Sequence, residues 1–167
     1  MAQIRYHVAL VPQAATETCW YACAQMLAGW RRAQVGLRAN SGAPVVTNQR
    51  DERYHKINRG AEPGDYAAVM RTLGFRAEHE PLNRENLLPW LTAYGPLIYS
   101  GFLQGYLGQR SNRIFHAVVI VGAQIDGALA LVEVNDPAPP KLGRHHYIDL
   151  EQLRQGLEWS SYPVVHV

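Results

Sequence analysis

Cys19 stands in Gln13-Ala-Ala-Thr-Glu-Thr-Cys19-Trp20, at the opening of a run with helical periodicity. A thiol in a first helical turn lies beside backbone N–H groups that have no intrahelical partner, near the positive end of the macrodipole. That setting favours thiolate over thiol, the condition for a nucleophilic cysteine. Cys23, one turn further along, loses the advantage and falls on the apolar stripe, where a small buried hydrophobe is the simpler reading. Gln13, six residues before Cys19, carries an amide that can fold back beside the thiol. With the Cys19 N–H it would form an oxyanion hole. His116 opens the apolar stretch Ala117-Val-Val-Ile-Val121, and Asp136 closes the next one in Asn135-Asp136-Pro137. Taken singly, a His or Asp at a strand end is more often a turn or cap residue. Taken as an ordered set, a thiol, an imidazole and an acid to orient it describe nucleophilic attack on a carbonyl.

Those groups must be positioned by elements that the sequence pattern outlines. Residues 4–11 alternate loosely and read as a strand closed by Pro12. Thr18 to about Arg32 reads as a helix, with Trp20, Cys23, Ala24, Leu27 and Trp30 on one face, Thr16 as N-cap and Glu17 in the first turn. Residues 36–64 form a long surface excursion with a short helix between Asn48 and Ile57. Asp65 caps a helix that runs to Leu73 and stops at Gly74. Phe75 to His79 reads as a strand, and Asn83 caps a helix over 84–93. Leu97 to Phe102 is a strand and 105–112 a loop. Phe115 to Ile125 and Ala128 to Val134 form a hairpin about Asp126-Gly127. A strand at His145–Ile148, a helix at Leu150–Gly156 and a strand at Tyr162–Val167 complete the chain. Helices come first and strands afterwards, which predicts an α+β fold with an antiparallel sheet.

The hairpin register decides whether His116 can meet its orienter, because successive strand residues face opposite ways. A two-residue Asp126-Gly127 turn sets His116 on the face of Asn135. A three-residue Ile125-Asp126-Gly127 loop, with Gly127 left-handed as a bulge, sets it opposite Asp136. A triad through Asp136 therefore predicts the bulged loop, or a bulge elsewhere in the hairpin. A tight turn would make Asn135 the alternative orienter.

Composition removes other classes. The chain has 167 residues, 47% of them hydrophobic and 18% charged, which suits one packed domain and not a disordered chain. A net charge of +2 is far from the basicity of a nucleic-acid binder, so no nucleic-acid partner is expected. Two cysteines exclude a disulfide-stapled fold, and at four residues apart on a helix they are awkwardly placed for a mutual bridge. The apolar run 117–123 is well short of the roughly 20 residues a membrane span requires, and the first residues lack a secretory signal pattern. No membrane partner is expected, and the location is cytoplasmic or reached by specialised secretion. His145-His146 face opposite ways on a strand with no completing acidic or Cys set, so no metal is expected. No phosphate-binding glycine loop appears, and no cofactor is expected. Arg31, Arg32, Arg50, Arg53, Arg110 and Arg113 read as solvated surface or a weak anionic patch. Tyr99, Tyr106 and Trp159 fit a cleft lining and core packing equally well, and Trp20 reads as core beneath the nucleophile.

The sequence resembles the papain-like cysteine peptidases across nearly its whole length. The likeness is carried by Val11-Pro-Gln13, Cys19-Trp-Tyr-Ala22, Leu73-Gly-Phe75, Tyr94-Gly-Pro-Leu97, His116-Ala-Val-Val-Ile-Val-Gly122 and Asn135-Asp-Pro137. It is greatest to the compact bacterial branches, which trim double-glycine leaders or act as injected effector proteases. The resemblance implies one papain-like domain over 1–167. Its helical half, about 12–95, would pack on a β half, about 96–167, with the cleft between them. It assigns Cys19 as nucleophile, His116 as base, Asp136 as orienter and Gln13 as oxyanion donor. It implies a protein or peptide substrate, a bacterial effector or toxin setting, and room for an inhibitor or immunity protein. Two features depart from papain: the Cys-Gly-Ser before the nucleophile is missing, and no propeptide is apparent. Glutamine deamidation or transglutamination would use the same thioester, and a non-catalytic binding module would keep the fold without the reaction.

Overall fold

The computed structural model describes residues 1–36, 63–108, 110–158 and 164–167. The excursion at 37–62 with its expected helix, Arg50, Arg53 and Trp159 lie outside the described residues, as do the side chains of Arg110 and Arg113. The elements are β1 (Ala2–Arg5), α1 (Cys19–Gln34), α2 (Pro63–Thr72), β2 (Arg76–Glu78), α3 (Arg84–Tyr94) and β3 (Leu97–Gln104). A 3-10 turn (Tyr106–Gly108) leads to β4 (Arg110–Asp126), β5 (Leu129–Asp136), β6 (Arg144–Asp149), α4 (Leu150–Gly156), β7 (Leu157–Glu158) and β8 (Val164–His166).

The strands form one antiparallel sheet in the order β2-β8-β3-β4-β5-β6, with β1 on the far end of β4 and β7 on β3. Helices cover both faces. Trp20, Met26 and Leu27 of α1, with Tyr66 and Met70 of α2, pack on Ile98, Ala117, Val119, Val121 and Val165. Leu87 and Leu91 of α3, with Leu150 and Leu153 of α4, pack on Tyr99, Val118, Ile120, Val132 and Val134. Alternate residues of β4 thus enter two different cores. That is why its run is continuously apolar rather than alternating with polar residues. Each such Val, Leu or Ile contributes about 1.5–3 kcal/mol relative to exposure, so β4 anchors the middle of the molecule. Among the described residues, no helix is long and apolar enough to cross a membrane.

The fold is α+β with an antiparallel sheet, as the pattern predicts, but several boundaries move. The N-terminal strand is Ala2–Arg5 rather than 4–11. After Arg5 one more bond, from the Tyr6 N–H to the Val121 carbonyl at 2.8 Å, ends the ladder. Val8, Leu10 and Val11 then pack against the α1 core without strand pairing, so their loose alternation reflects packing alone. Helix α1 is capped by position 18, not 16, and Glu17 lies outside it. The Thr18 hydroxyl instead exchanges hydrogen bonds with the backbone of Ala15, both at 3.1 Å, and so makes no side-chain cap. Helix α2 begins at Pro63 rather than after Asp65; a proline at a first helical position lacks only an N–H that has no partner there. Asn83 caps α3 as expected, its side chain accepting from the N–H groups of Glu85 and Asn86 while the Asn86 side chain accepts from the Asn83 N–H.

Candidate active site

Cys19 is the first residue of α1, and it is 4% exposed. The segment leading to it is held by the far end of the hairpin: the Gln13 N–H donates to the Pro137 carbonyl and the Lys141 N–H to the Gln13 carbonyl, each at 2.9 Å. Two parts of the chain more than a hundred residues apart are therefore locked in register beside Cys19. The Cys19 sulfur lies 4.0 Å from the Phe115 carbonyl, directly before His116.

His116 lies on β4 opposite Gly101 of β3 and is buried. Its Nε2 is 2.9 Å from Asp136 Oδ1. The Ala138 N–H donates to the same oxygen at 2.8 Å, an Asx turn that fixes the carboxylate just past the end of the ladder. With Nε2 facing the acid, Nδ1 is the nitrogen left for Cys19. Burial alone would lower the imidazole's pKa, but hydrogen bonds to Asp136 and Cys19, together with their charges, raise it to about 10. Cys23, fully buried one turn deeper, has its thiol pushed well up by burial first, and then by Cys19 and Asp136.

The hairpin reaches this arrangement by the second of the two expected routes. Its turn is Gly127-Ala128, with Asp126 paired to Leu129, rather than either loop about Asp126-Gly127. Gly127 takes a φ of 54°, open to glycine at the first position of a two-residue hairpin loop. The parity is corrected further up. Ile120 pairs with Val134 and Gly122 with Glu133, so Val121 is an extra residue. Without that bulge, the turn's register would turn His116 to the face of Asn135. With it, His116 shares the face of Asp136. Asn135 points the other way: its Nδ2 donates to the Val8 carbonyl at 2.9 Å and its Oδ1 faces His145 Nδ1 at 2.7 Å.

Gln13 is buried and lines the same cleft as His116 and Asp136. Its Nε2 donates to the carbonyls of Ala15 and Thr16, at 2.8 and 2.9 Å, so both amide hydrogens are engaged within the approach to α1. Its Oε1 is buried without a partner. The cleft, about 260 Å3, is otherwise mostly apolar, with walls from Leu103, Leu107, Ile114 and Pro139. Tyr106 and Arg144 also line it, and Arg144 Nε donates to the Ala138 carbonyl at 3.1 Å.

The other candidates separate from this site. Tyr99 is core, its hydroxyl 3.4 Å from the Leu157 carbonyl. Trp20 is core next to Cys19, 1% exposed. Arg31 and Arg32 are exposed in the last turn of α1, where positive charge complements the helix dipole. His145 and His146 diverge to opposite faces of β6: His145 meets Glu133, and His146 meets Tyr106. No group of three or more His, Cys, Asp or Glu gathers into a metal-binding set among the described residues. Arg144 was not legible as a cleft residue, because nothing in its local pattern distinguishes it from any strand-opening arginine.

The family described as papain-like cysteine protease AvrRpt2 matches residues 1–149. No curated protein matches the sequence. Among solved structures, a papain-like mite allergen matches with a TM-score of 0.53 and 13% identity. It comes from work on the limited antibody cross reactivity between the mite allergens Blo t 1 and Der p 1. The match covers 95% of this chain and 66% of the allergen's, and at that identity the likeness is one of fold.

Proposed function

Because the chain belongs to the papain-like cysteine proteases of the AvrRpt2 family, we propose that it hydrolyses peptide bonds in a protein or peptide substrate through Cys19, His116 and Asp136. The observation that carries this reading is the buried 2.9 Å contact between His116 and Asp136, with the sulfur of Cys19, the first residue of α1, 4.0 Å from the carbonyl of the residue before His116. Cys19 gives its proton to His116 Nδ1, and the sulfur of the resulting thiolate–imidazolium pair attacks the carbonyl carbon. The C–N bond then breaks, and the leaving amine takes that proton from His116. A water, giving a proton to the same nitrogen, attacks the thioester and releases the acid and the free thiol. Asp136 holds the ring and balances the imidazolium's charge.

Gln13 and the Cys19 N–H complete the reading as oxyanion donors. In the free protein the Gln13 amide rests on two neutral carbonyls. A charged tetrahedral oxygen is the stronger acceptor, and catalytic hydrogen bonds commonly tighten only in the complex. The reading extends to the setting implied by the sequence resemblance, a bacterial effector or toxin protease with an inhibitor or immunity protein as a further partner. Peptide-library digestion followed by mass spectrometry tests the activity. New fragments with the wild type and none with Cys19→Ala are expected. A gain of one dalton without cleavage would transfer the same residues to glutamine deamidation, and Cys19→Ala with full activity would sink the assignment.

A further inference from the structure

We propose that Tyr106 is a positioning residue for the Cys19–His116 pair, its hydroxyl donating to the Asp136 carboxylate while accepting from His146. This extends the chain of acid–base groups beyond the three just described, and it rests on the peptidase reading.

Both placed donors to Asp136, His116 Nε2 and the Ala138 N–H, meet the same oxygen, Oδ1. A carboxylate that is only 1% exposed cannot leave its other oxygen bare without a large desolvation cost. Tyr106 supplies the missing donor. It is 3% exposed, its ring centroid is 5.9 Å from that of His116, and it lines the same cleft as Asp136, the acid whose charge acts on its hydroxyl. The same hydroxyl lies 3.1 Å from His146 Nε2. A phenol has one hydrogen, and an ionised carboxylate can only accept. The hydrogen therefore points to Asp136, and His146 Nε2 must carry the one that points to Tyr106. That tautomer leaves His146 Nδ1 bare, and Nδ1 is the buried atom of this ring without a partner. The reverse arrangement would bury an unpaired N–H and turn a hydroxyl lone pair on the carboxylate.

The electrostatics agree with this direction. Burial, then the charge of Asp136 and the hydrogen bond to it, push the Tyr106 hydroxyl far above its ordinary range, so it remains a donor. Burial also lowers the His146 pKa, favouring the neutral ring. The seat of Tyr106 is built closely. A Cβ on Gly156 at the end of α4 would come within 2.9 Å of the Tyr106 Cα, so only glycine lets α4 approach this turn.

Alkylation of Cys19 by iodoacetamide, followed alongside peptide turnover, tests the proposal. In Tyr106→Phe both the alkylation rate and kcat are expected to fall about tenfold, the scale on which outer-shell partners act. KM should be unchanged, while the thermal midpoint should fall, because a buried carboxylate loses a donor. His146→Leu should reproduce the loss, and His146→Gln, which keeps an N–H at similar reach, should recover rate relative to it. This comparison decides the matter even where Tyr106→Phe folds poorly. His116→Ala separates the two levels of the argument. If it slows alkylation but Tyr106→Phe leaves both rates alone or alters only KM, the positioning role is overturned and the peptidase reading stands. If His116→Ala leaves alkylation unchanged, the Cys–His reading falls and this inference falls with it.

Discussion

Strand β5 carries the carboxylates of two histidine–carboxylate pairs on its opposite faces, and only one of the pairs adjoins Cys19. On one face His116 Nε2 meets Asp136 at 2.9 Å; on the other His145 Nε2 meets Glu133, also at 2.9 Å. The distances do not distinguish them, but the surroundings do. His116 is buried, with its second nitrogen left for Cys19, and it opens onto the apolar cleft. The His145 side chain is 40% exposed, its second nitrogen is occupied by Asn135 Oδ1, and Glu133 is shared with Arg5 at 2.7 Å. The second cluster ties β1 and the Val8 segment to β5 and β6, which is a structural task. A histidine–carboxylate pair is thus not a site in itself; it becomes one where the free nitrogen meets a nucleophile away from water.

The sharpest way to break this comparison is to remove each histidine in turn. His116→Ala is expected to lower kcat/KM by about 10³-fold or more, whereas His145→Ala should stay within about twofold; similar losses in both would erase the distinction. Gln13→Ala probes the amide next to the site. A loss of about 10²-fold in kcat is expected of an oxyanion donor, and an unchanged kcat would confine Gln13 to shaping the approach to α1. Acid–base behaviour offers a third comparison. The folded-state pKa of His116, about 10, lies above the ordinary value of 6.5. Its contribution to stability is complete below about pH 6.5 and fades as pH rises towards 10. Thermal unfolding should therefore show the wild type losing more stability between pH 7 and pH 9.5 than His116→Ala does. Equal slopes would contradict the raised value. The smallest effect is expected at Glu133→Gln, a loss of about 1 kcal/mol as Arg5 and His145 lose the negative charge they share. Denaturant unfolding with turnover near wild type would show it, and a collapse of turnover would tie the structural cluster to the chemistry.

Local signals were legible wherever the residues themselves dictate an element. Asn83 with Asn86 makes its capping box, Gly74 stops α2 in the left-handed region with φ at 82°, and Leu150–Gly156 is helical over the expected span. The start of α1 is less so, because Thr16 and Thr18 are equally good caps by type. The preference of the Thr18 hydroxyl for the Ala15 backbone depends on how the preceding segment is held, and Pro137 and Lys141 hold it from across the molecule. Tyr106 was open between cleft and core for a related reason: a buried aromatic looks the same in sequence whether or not its hydroxyl reaches a carboxylate.

The identities and order of Cys19, His116 and Asp136 as candidates, with Cys19 opening α1 and Asp136 closing β5, were legible in the sequence by itself, because nucleophile chemistry and strand patterning act over a few residues; His116 lies inside β4 rather than opening it, because β4 begins at Arg110. Whether the imidazole meets Asp136 or Asn135 was not legible. That choice turned on Val121, one residue bulged from the β4–β5 ladder. A single residue left out of that ladder reverses every face beyond it, and what holds Val121 there is tertiary: its carbonyl accepts from the Tyr6 N–H and its side chain packs in the core beneath α1.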